Sequence, residues 1–157
     1  ENQGTIDKFI GDSIMVLFGA PLESQPRQQV DHAIACARAM RLKLSELNEQ
    51  WTIEGLPILS MRVGIHRGPA LVGNLGSDRR SDYTAIGNTV NVASRIEGVC
   101  TPGYVFMSEP VAALVAEEDK TSMGPHKLKG ISTAMNLYSL TRSNVIPLQG
   151  SKTKSTA

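Results

Sequence analysis

Three polar side chains recur at helical spacing between residues 88 and 95. Asn88, Asn91 and Arg95 stand at positions i, i+3 and i+7, and they therefore share one face of a predicted helix. A guanidinium presents a fork of donors that suits phosphate oxygens, and an amide can orient a sugar oxygen. This face could therefore bind a phosphate and a sugar oxygen. From the periodicity alone, a solvated polar face with Asn88 as the helix cap is an equally good interpretation.

Two further groups could act on the same kind of ligand. Asp12 follows Gly11 at a predicted turn, where its carboxylate can bind Mg²⁺, and Lys8 precedes it by four residues. The basic segment 127–130 contains Lys129, which can reach a polyphosphate. Each group also has an ordinary explanation, because Gly-Asp pairs form turns and lysines on strand edges or turns are usually solvated. None of these residues identifies a function by itself.

The elements that must position these residues follow from apolar periodicity, turn residues and caps. In chain order they are strands 5–10 and 13–18, a helix over 28–50, strands 58–66 and 70–74, a polar loop over 76–82, a helix over 88–96 closed by Gly98, a strand at 104–107, a helix over 108–117 capped by Ser108, and strand segments at 126–128 and 135–140. This order predicts an α/β sandwich of the α+β type. Its sheet is ferredoxin-like and contains antiparallel hairpins, with helices packed on it, and it is not a doubly wound parallel sheet.

Composition excludes several classes of protein. The net charge of +1 disfavours a nucleic-acid binder that works by neutralising phosphates. The longest apolar run, residues 14–20, is too short to span a bilayer, and residues 1–4 do not resemble a signal peptide, so this segment is predicted to have no membrane contact. Cys36 and Cys100 are isolated and suit free thiols in a reducing compartment. We therefore expect a cytoplasmic protein, or the cytoplasmic domain of a larger one.

The 157 residues divide into one domain and a tail. Residues 1–142 have the apolar content of one globular domain, whereas 143–157 are rich in Ser, Thr and Lys and predict a flexible extension. The sequence lacks an initiator methionine, which indicates a fragment of a larger protein.

Three segments together resemble the catalytic domain of the class III nucleotidyl cyclases. They are residues 8–12 (KFIGD), 62–68 (RVGIHRG) and 86–95 (IGNTVNVASR), in the order and spacing of that family. The similarity runs from about residue 4 to residue 141. The resemblance implies the cyclase fold and conversion of a nucleoside triphosphate to a 3′,5′-cyclic monophosphate and pyrophosphate.

The resemblance also assigns roles to single residues. Asp12 matches one of two aspartates that hold two Mg²⁺ or Mn²⁺ ions. Asn91 matches the residue that orients the ribose, and Arg95 matches the residue that stabilises the transition state at the α-phosphate. Lys129 is similar in place to the lysine that binds the triphosphate.

Two positions indicate the base. Lys8 matches the family's adenine-selecting lysine, whose ammonium can donate to adenine N1, whereas guanylyl cyclases usually carry glutamate there. Thr84 stands where a bacterial subgroup has threonine, whose hydroxyl can accept from the adenine amino group. The resemblance therefore implies an adenylate cyclase that uses ATP for cyclic-nucleotide signalling. Members of the threonine subgroup are often stimulated by bicarbonate, which makes bicarbonate a possible activator here.

In this family the metal aspartates and the Asn and Arg residues of one site come from different subunits. Because this sequence carries both sets, the resemblance implies a homodimer with two shared sites. The strand with the first metal aspartate is missing, so the fold is expected to be truncated at its N-terminus. Asp7 is a poor substitute, because strand alternation puts Asp7 and Lys8 on opposite faces. We expect the missing aspartate to lie upstream, and residues 1–157 alone to be inactive.

Two alternatives stay open. A guanylate cyclase is disfavoured by Lys8, which cannot accept the guanine N1 proton. A non-catalytic cyclase-like module that binds nucleotide or dimerises is favoured by the missing aspartate. The presence of Asp12, Asn91 and Arg95 argues against that module, because a protein without catalysis needs none of them.

Overall fold

The computed structural model describes residues 3–77 and 80–141, and the predicted tail at 143–157 lies outside the described residues. The described elements, in chain order, are β1 (Gly4–Ile10), β2 (Ser13–Phe18), α1 (Pro26–Ile53), β3 (Val63–Ile65), β4 (Leu71–Ser77), β5 (Arg80–Ile86), α2 (Asn88–Val99), β6 (Val105–Ser108), α3 (Glu109–Ala112), a 3₁₀ turn (Glu117–Asp119), β7 (Lys120–His126) and β8 (Met135–Leu140). Within these ranges, no helix is both long enough and apolar enough to span a membrane.

A four-stranded sheet with the order β3-β6-β8-β7 forms the centre of the fold. Strand β3 pairs with β6 in parallel, and β8 pairs antiparallel with both β6 and β7. The β1-β2 and β4-β5 hairpins form two separate antiparallel sheets. This mixture of antiparallel strands and packed helices confirms the predicted fold class.

Strand β6 is buried along its whole length because helices cover both faces of the central sheet. Val105 and Met107 belong to a core cluster with residues of α1 and α3, whereas Phe106 packs with Val92 and Ile96 of α2. Alternate side chains of a strand point to opposite faces. Helices α1 and α2 therefore lie on opposite faces, and burial of each large apolar side chain between them contributes roughly 1.5–3 kcal/mol.

Gly64 allows helix α2 to approach β3 closely. A Cβ atom at Gly64 would lie 2.4 Å from the backbone nitrogen of Glu97 and 2.6 Å from the carbonyl oxygen of Ala93. The Arg62 Nε atom lies 2.9 Å from Glu97 Oε1 and adds an ion pair at the same contact. The absence of a side chain at Gly64 thus sets the position of the helix that carries Asn91 and Arg95.

The structure corrects the predicted loop over 76–82. Strand β4 extends to Ser77 and β5 begins at Arg80, so this region is a hairpin whose second strand the sequence analysis missed. The segment contains few apolar residues, which leaves no alternation for a sequence pattern to detect. Thr84 consequently lies in a strand.

The predicted strand over 58–66 is also shorter than expected, since only Val63–Ile65 is a strand. Upstream of this strand, the buried side chain of Asn48 makes the hydrogen bonds to the Leu59 backbone that a neighbouring strand would otherwise make. Its Nδ2 donates to the carbonyl of Leu59 at 2.8 Å, and its Oδ1 accepts from the Leu59 N–H at 2.9 Å. These bonds satisfy the backbone without extending the sheet.

Two predicted helix ends were wrong. Helix α2 continues through Gly98 to Val99, with Cys100 as its C-cap. Helix α3 ends at Ala112, and Ser108 precedes it without a side-chain capping bond. The Ser108 hydroxyl is instead 2.8 Å from Nδ1 of His66, so a tertiary contact replaces the expected cap.

Candidate active site

Asp12 lies in the turn that joins β1 to β2, and its side chain is exposed. Gly11 before it has a φ of 61°, a conformation that residues with a Cβ adopt only with strain. The local sequence therefore forms the tight turn that was predicted. It presents the Asp12 carboxylate to solvent at the end of the hairpin.

The β1-β2 ladder is irregular at Asp7. Ile6 pairs with Val16 and Lys8 pairs with Met15, so Asp7 is an extra residue on β1, as in a β-bulge. A bulge interrupts the alternation from which Asp7 and Lys8 were expected to point to opposite faces. Lys8 Nζ lies 3.5 Å from Asp7 Oδ1.

The Asp7 carboxylate joins the two predicted base-selecting residues. Its side chain is only 1% exposed. Oδ2 accepts a hydrogen bond from the Thr84 hydroxyl at 2.6 Å and one from the Ala85 N–H at 3.3 Å. Oδ1 has no hydrogen-bond partner among the described residues and faces the Lys8 ammonium. Lys8 and Thr84, which are far apart in sequence, therefore meet at one buried carboxylate.

Asp7 is an anion at neutral pH. Burial raises the pKa of Asp7, but the hydrogen bonds from Thr84 and Ala85 and the charge of Lys8 outweigh burial and hold the pKa below its ordinary value of 3.8. From the sequence, Asp7 is considered only as a poor substitute for the missing metal-binding aspartate. Its Oδ2 accepts two hydrogen bonds from residues of β5, and its Oδ1 lies 3.5 Å from the Lys8 ammonium.

Helix α2 begins directly after β5, and it has one buried face and one face that is exposed or half-buried. Val92 and Ile96 are buried in the core, whereas Asn91 is exposed and Arg95 is half-buried. Asn91 and Arg95 are separated by one helical turn, so they share the face that was predicted. Only Gly87 separates α2 from β5, the strand that carries Thr84.

The basic segment after β7 approaches the same helix. Leu128 is buried in the cluster that contains Val92 and Ile96, and this anchors the segment with Lys129 exposed. Gly130 has a φ of 71°, and a Cβ there would lie 3.3 Å from Nη2 of Arg95. The Arg95 guanidinium therefore rests against the turn that carries Lys129.

The contacts thus form two groups. Lys8 and Thr84 are joined through Asp7, and Arg95 lies against the turn after Lys129. The described hydrogen bonds and ion pairs connect neither group to Asp12.

Asp12 fits a divalent cation only as part of a ligand set. Among the described residues, no cluster of three or more His, Cys, Asp or Glu side chains could hold a metal ion. Mg²⁺, however, is commonly bound by one or two carboxylates together with substrate phosphates and water. A single exposed carboxylate agrees with that kind of site.

The order of these residues and the fold around them are those of a known family. The sequence model of the adenylate and guanylate cyclase catalytic domain matches residues 5–142. This chain belongs to that family. Cyclase domains generally use divalent metal ions, which agrees with the chemistry available at Asp12.

The chain is similar to curated bacterial cyclases. It is 40% identical over 141 residues to adenylate cyclase 1 of Rhizobium meliloti, covering 87% of this chain and 21% of that protein. It is 36% identical over 149 residues to an adenylate cyclase of Anabaena cylindrica, covering 88% of this chain and 28% of that protein. The chain thus spans between about a fifth and a third of the length of these relatives.

Two solved structures share the fold closely. The adenylyl cyclase CyaB from P. aeruginosa is 35% identical, with a TM-score of 0.83 over 91% of this chain and 74% of that chain. The guanylyl cyclase Cya2 is 38% identical, with a TM-score of 0.78 over 88% of this chain and 70% of that chain. The structures that resemble this chain thus include both an adenylyl cyclase and a guanylyl cyclase. The preferred base therefore has to be inferred from the residues of the site.

Proposed function

We propose that this chain is the catalytic domain of an adenylate cyclase, which converts ATP to 3′,5′-cyclic AMP and pyrophosphate. The observation that carries the proposal is the meeting of Lys8 and Thr84 at the Asp7 carboxylate. A lysine donates to adenine N1, and a threonine hydroxyl accepts from the adenine amino group. Relatives named adenylate cyclase support the same base.

In this proposal, Asn91, Arg95 and Lys129 act on the sugar and the phosphates. The 3′-hydroxyl attacks the α-phosphorus, a new oxygen–phosphorus bond forms, and pyrophosphate leaves. Asn91 orients the ribose, and Arg95 stabilises the charge that develops at the α-phosphate. Lys129 holds the triphosphate through its ammonium group. The position of the Arg95 guanidinium beside Gly130, the residue that follows Lys129, supports this division.

Asp12 is proposed to hold the divalent metal ions, two Mg²⁺ or Mn²⁺ per site. When bound, such ions lower the pKa of the attacking hydroxyl and neutralise charge on the leaving pyrophosphate. The exposed position of Asp12 in its turn leaves its carboxylate oxygens open to a cation. In this proposal a second aspartate completes the protein ligands.

The active form is proposed to be a homodimer with two shared sites. Asp12 of one protomer serves the same ATP molecule as Asn91 and Arg95 of its partner. One chain carries both sets of residues, so two copies can close into a symmetric pair with two sites.

Three further features belong to the proposal. The enzyme acts in the cytoplasm in cyclic-nucleotide signalling, and its unpaired Cys36 and Cys100 suit a reducing compartment. Thr84 also suggests stimulation by bicarbonate. Adding sodium bicarbonate or an equal amount of sodium chloride at fixed pH tests this, and equal rates in the two salts would exclude it.

A guanylate cyclase is the second candidate, favoured by the similarity to Cya2. The two candidates are separated by supplying the natural full-length protein with Mn-ATP or Mn-GTP and measuring both cyclic products. We expect a clear preference for ATP. Preference for GTP would identify a guanylate cyclase, and failure of both substrates would indicate a module without catalysis.

A mixing experiment tests the shared site. Asp12→Ala and Arg95→Ala are each expected to inactivate the full-length protein. A random 1:1 mixture should recover about a quarter of wild-type activity, because half the dimers are mixed and each has one intact site. Asn91→Ala mixed with Arg95→Ala is the control and should stay inactive, since both changes lie on the same half of the site. No recovery in proven mixed dimers would refute the shared arrangement.

A further inference from the structure

The hydrogen bond from Thr84 to Asp7 determines whether the threonine hydroxyl can donate a hydrogen bond to a ligand or only accept one. An ionised carboxylate can only accept, so the Thr84 hydrogen is directed to Asp7 Oδ2 at 2.6 Å. The hydroxyl oxygen retains lone pairs and can offer a ligand only an acceptor. Without Asp7, the same hydroxyl could rotate and act as a donor.

The other oxygen of Asp7 acts on Lys8. Oδ1 is buried, has no hydrogen-bond partner in the described part of the chain, and lies 3.5 Å from the Lys8 ammonium. At this distance the charges attract while the hydrogen bond is weak. Lys8 is 43% exposed, so its remaining N–H groups stay available to a ligand. The carboxylate thus holds a donor beside an acceptor.

This pair distinguishes the two purines. Adenine presents an amino donor at position 6 beside the N1 acceptor, whereas guanine presents the O6 acceptor beside the N1–H donor. An acceptor at Thr84 and a donor at Lys8 match adenine at both positions and oppose guanine at both. A hydroxyl free to donate would accommodate guanine O6.

We propose that Asp7 is a specificity-determining positioning residue, which selects adenine by fixing the Thr84 hydroxyl as an acceptor and holding the Lys8 ammonium beside it. This inference rests on the proposed function, in which Lys8 and Thr84 contact the base. Asp7 acts through these two residues and does not itself touch the nucleotide. Its position in the bulge is what allows one carboxylate to reach both.

The test compares kcat/KM for ATP and GTP in the natural full-length protein and in Asp7→Ala. We expect the ATP:GTP ratio to fall by about tenfold or more, because hydrogen-bond mismatches of this kind carry discrimination of that size. A purely structural role would lower both values together and leave the ratio unchanged. Asp31→Ala, an exposed aspartate on α1 paired with Arg27, is the control and should keep the wild-type ratio.

Asp7→Asn provides a second variant of nearly the same size if the alanine variant does not fold. The Thr84 hydroxyl and the Ala85 N–H both need an acceptor, so the amide oxygen should take the Oδ2 position. The amide NH₂ group then faces Lys8 and repels it. We expect a smaller fall in the ATP:GTP ratio, with a raised KM for ATP, and an unchanged ratio overturns the inference.

The outcomes separate this inference from the proposed function. If the wild-type protein prefers GTP or converts neither nucleotide, the proposed function fails. If the wild-type protein prefers ATP and the Asp7 variants retain that preference, only the role of Asp7 fails. In a Thr84→Val background, Asp7→Asn should change the ratio less than it does alone, because one of its two targets is gone.

Discussion

Gly64→Ala should displace the helix that carries Asn91 and Arg95. The new methyl group would lie 2.4 Å from the Glu97 backbone nitrogen, whereas ordinary contacts begin near 3.4 Å. The obstacle is backbone on α2, so no side chain can rotate away. The helix must retreat by about 1 Å or distort, and overpacking of this kind costs about 1–3 kcal/mol.

The assay combines local stability with catalysis. Amide hydrogen exchange of the natural full-length protein should show protection of residues 88–99 reduced by about 5- to 150-fold, in line with that cost. A shift of about 1 Å in the catalytic helix should also lower kcat/KM by about a hundredfold.

Gly98→Ala is the matched control, because it makes the same change in the same helix at a position where, apart from the adjacent residues and the helix's own nearby backbone, no atom lies within 4 Å of a new Cβ. It should increase protection, since alanine is favoured over glycine in a helix by about 1 kcal/mol. If Gly64→Ala left both exchange and activity unchanged, the close approach of α2 to β3 could not set the position of the site.

The remaining predictions concern pH and thiol reactivity. Burial lowers the pKa of His66 below its ordinary 6.5, so the folded state resists protonation. Protonation of His66 in the unfolded state therefore does not affect the free energy of unfolding above pH 6.5, and it lowers that free energy as the pH falls below this value. His66→Gln should flatten the pH dependence of the thermal midpoint between pH 7 and 5. An unchanged slope would contradict this. Cys100 is 4% exposed, and burial raises the pKa of its thiol, so its reactive thiolate form is disfavoured. Cys36 is half-buried, and a disulfide reagent at pH 8 should therefore modify Cys36 before Cys100. Faster modification of Cys100, mapped by peptide mass spectrometry, would contradict the burial of that residue.

Sequence periodicity identified the elements that have one buried and one exposed face. The apolar residues of α1 and α2 recur at helical spacing, and the first hairpin was predicted with its turn at Gly11. Strand β5 was missed because polar residues fill much of it, and its pairing with β4 depends on backbone hydrogen bonds. Such pairing leaves little trace in side-chain pattern.

In the candidate site, too, contacts within one element could be predicted from the sequence, and contacts between distant elements could not. Residues on one helix, such as Asn91 and Arg95, could be placed together from their spacing. The contact between Asp7 and Thr84 could not, because it depends on a bulge and on the packing of two hairpins that are distant in sequence. The cap predicted at Ser108 failed for a related reason, since His66 competes for its hydroxyl. Local rules do not include partners supplied by tertiary structure.

Asp7, the extra residue in β1, also affects how the base specificity of this domain can change. The family resemblance associates glutamate at position 8 with guanine. Here, a glutamate would bring a second carboxylate toward a buried anion that now lies 3.5 Å from the lysine ammonium, and two like charges that close disfavour each other. In the proposed site, a change from adenine to guanine would therefore require residue 7 to change together with residue 8.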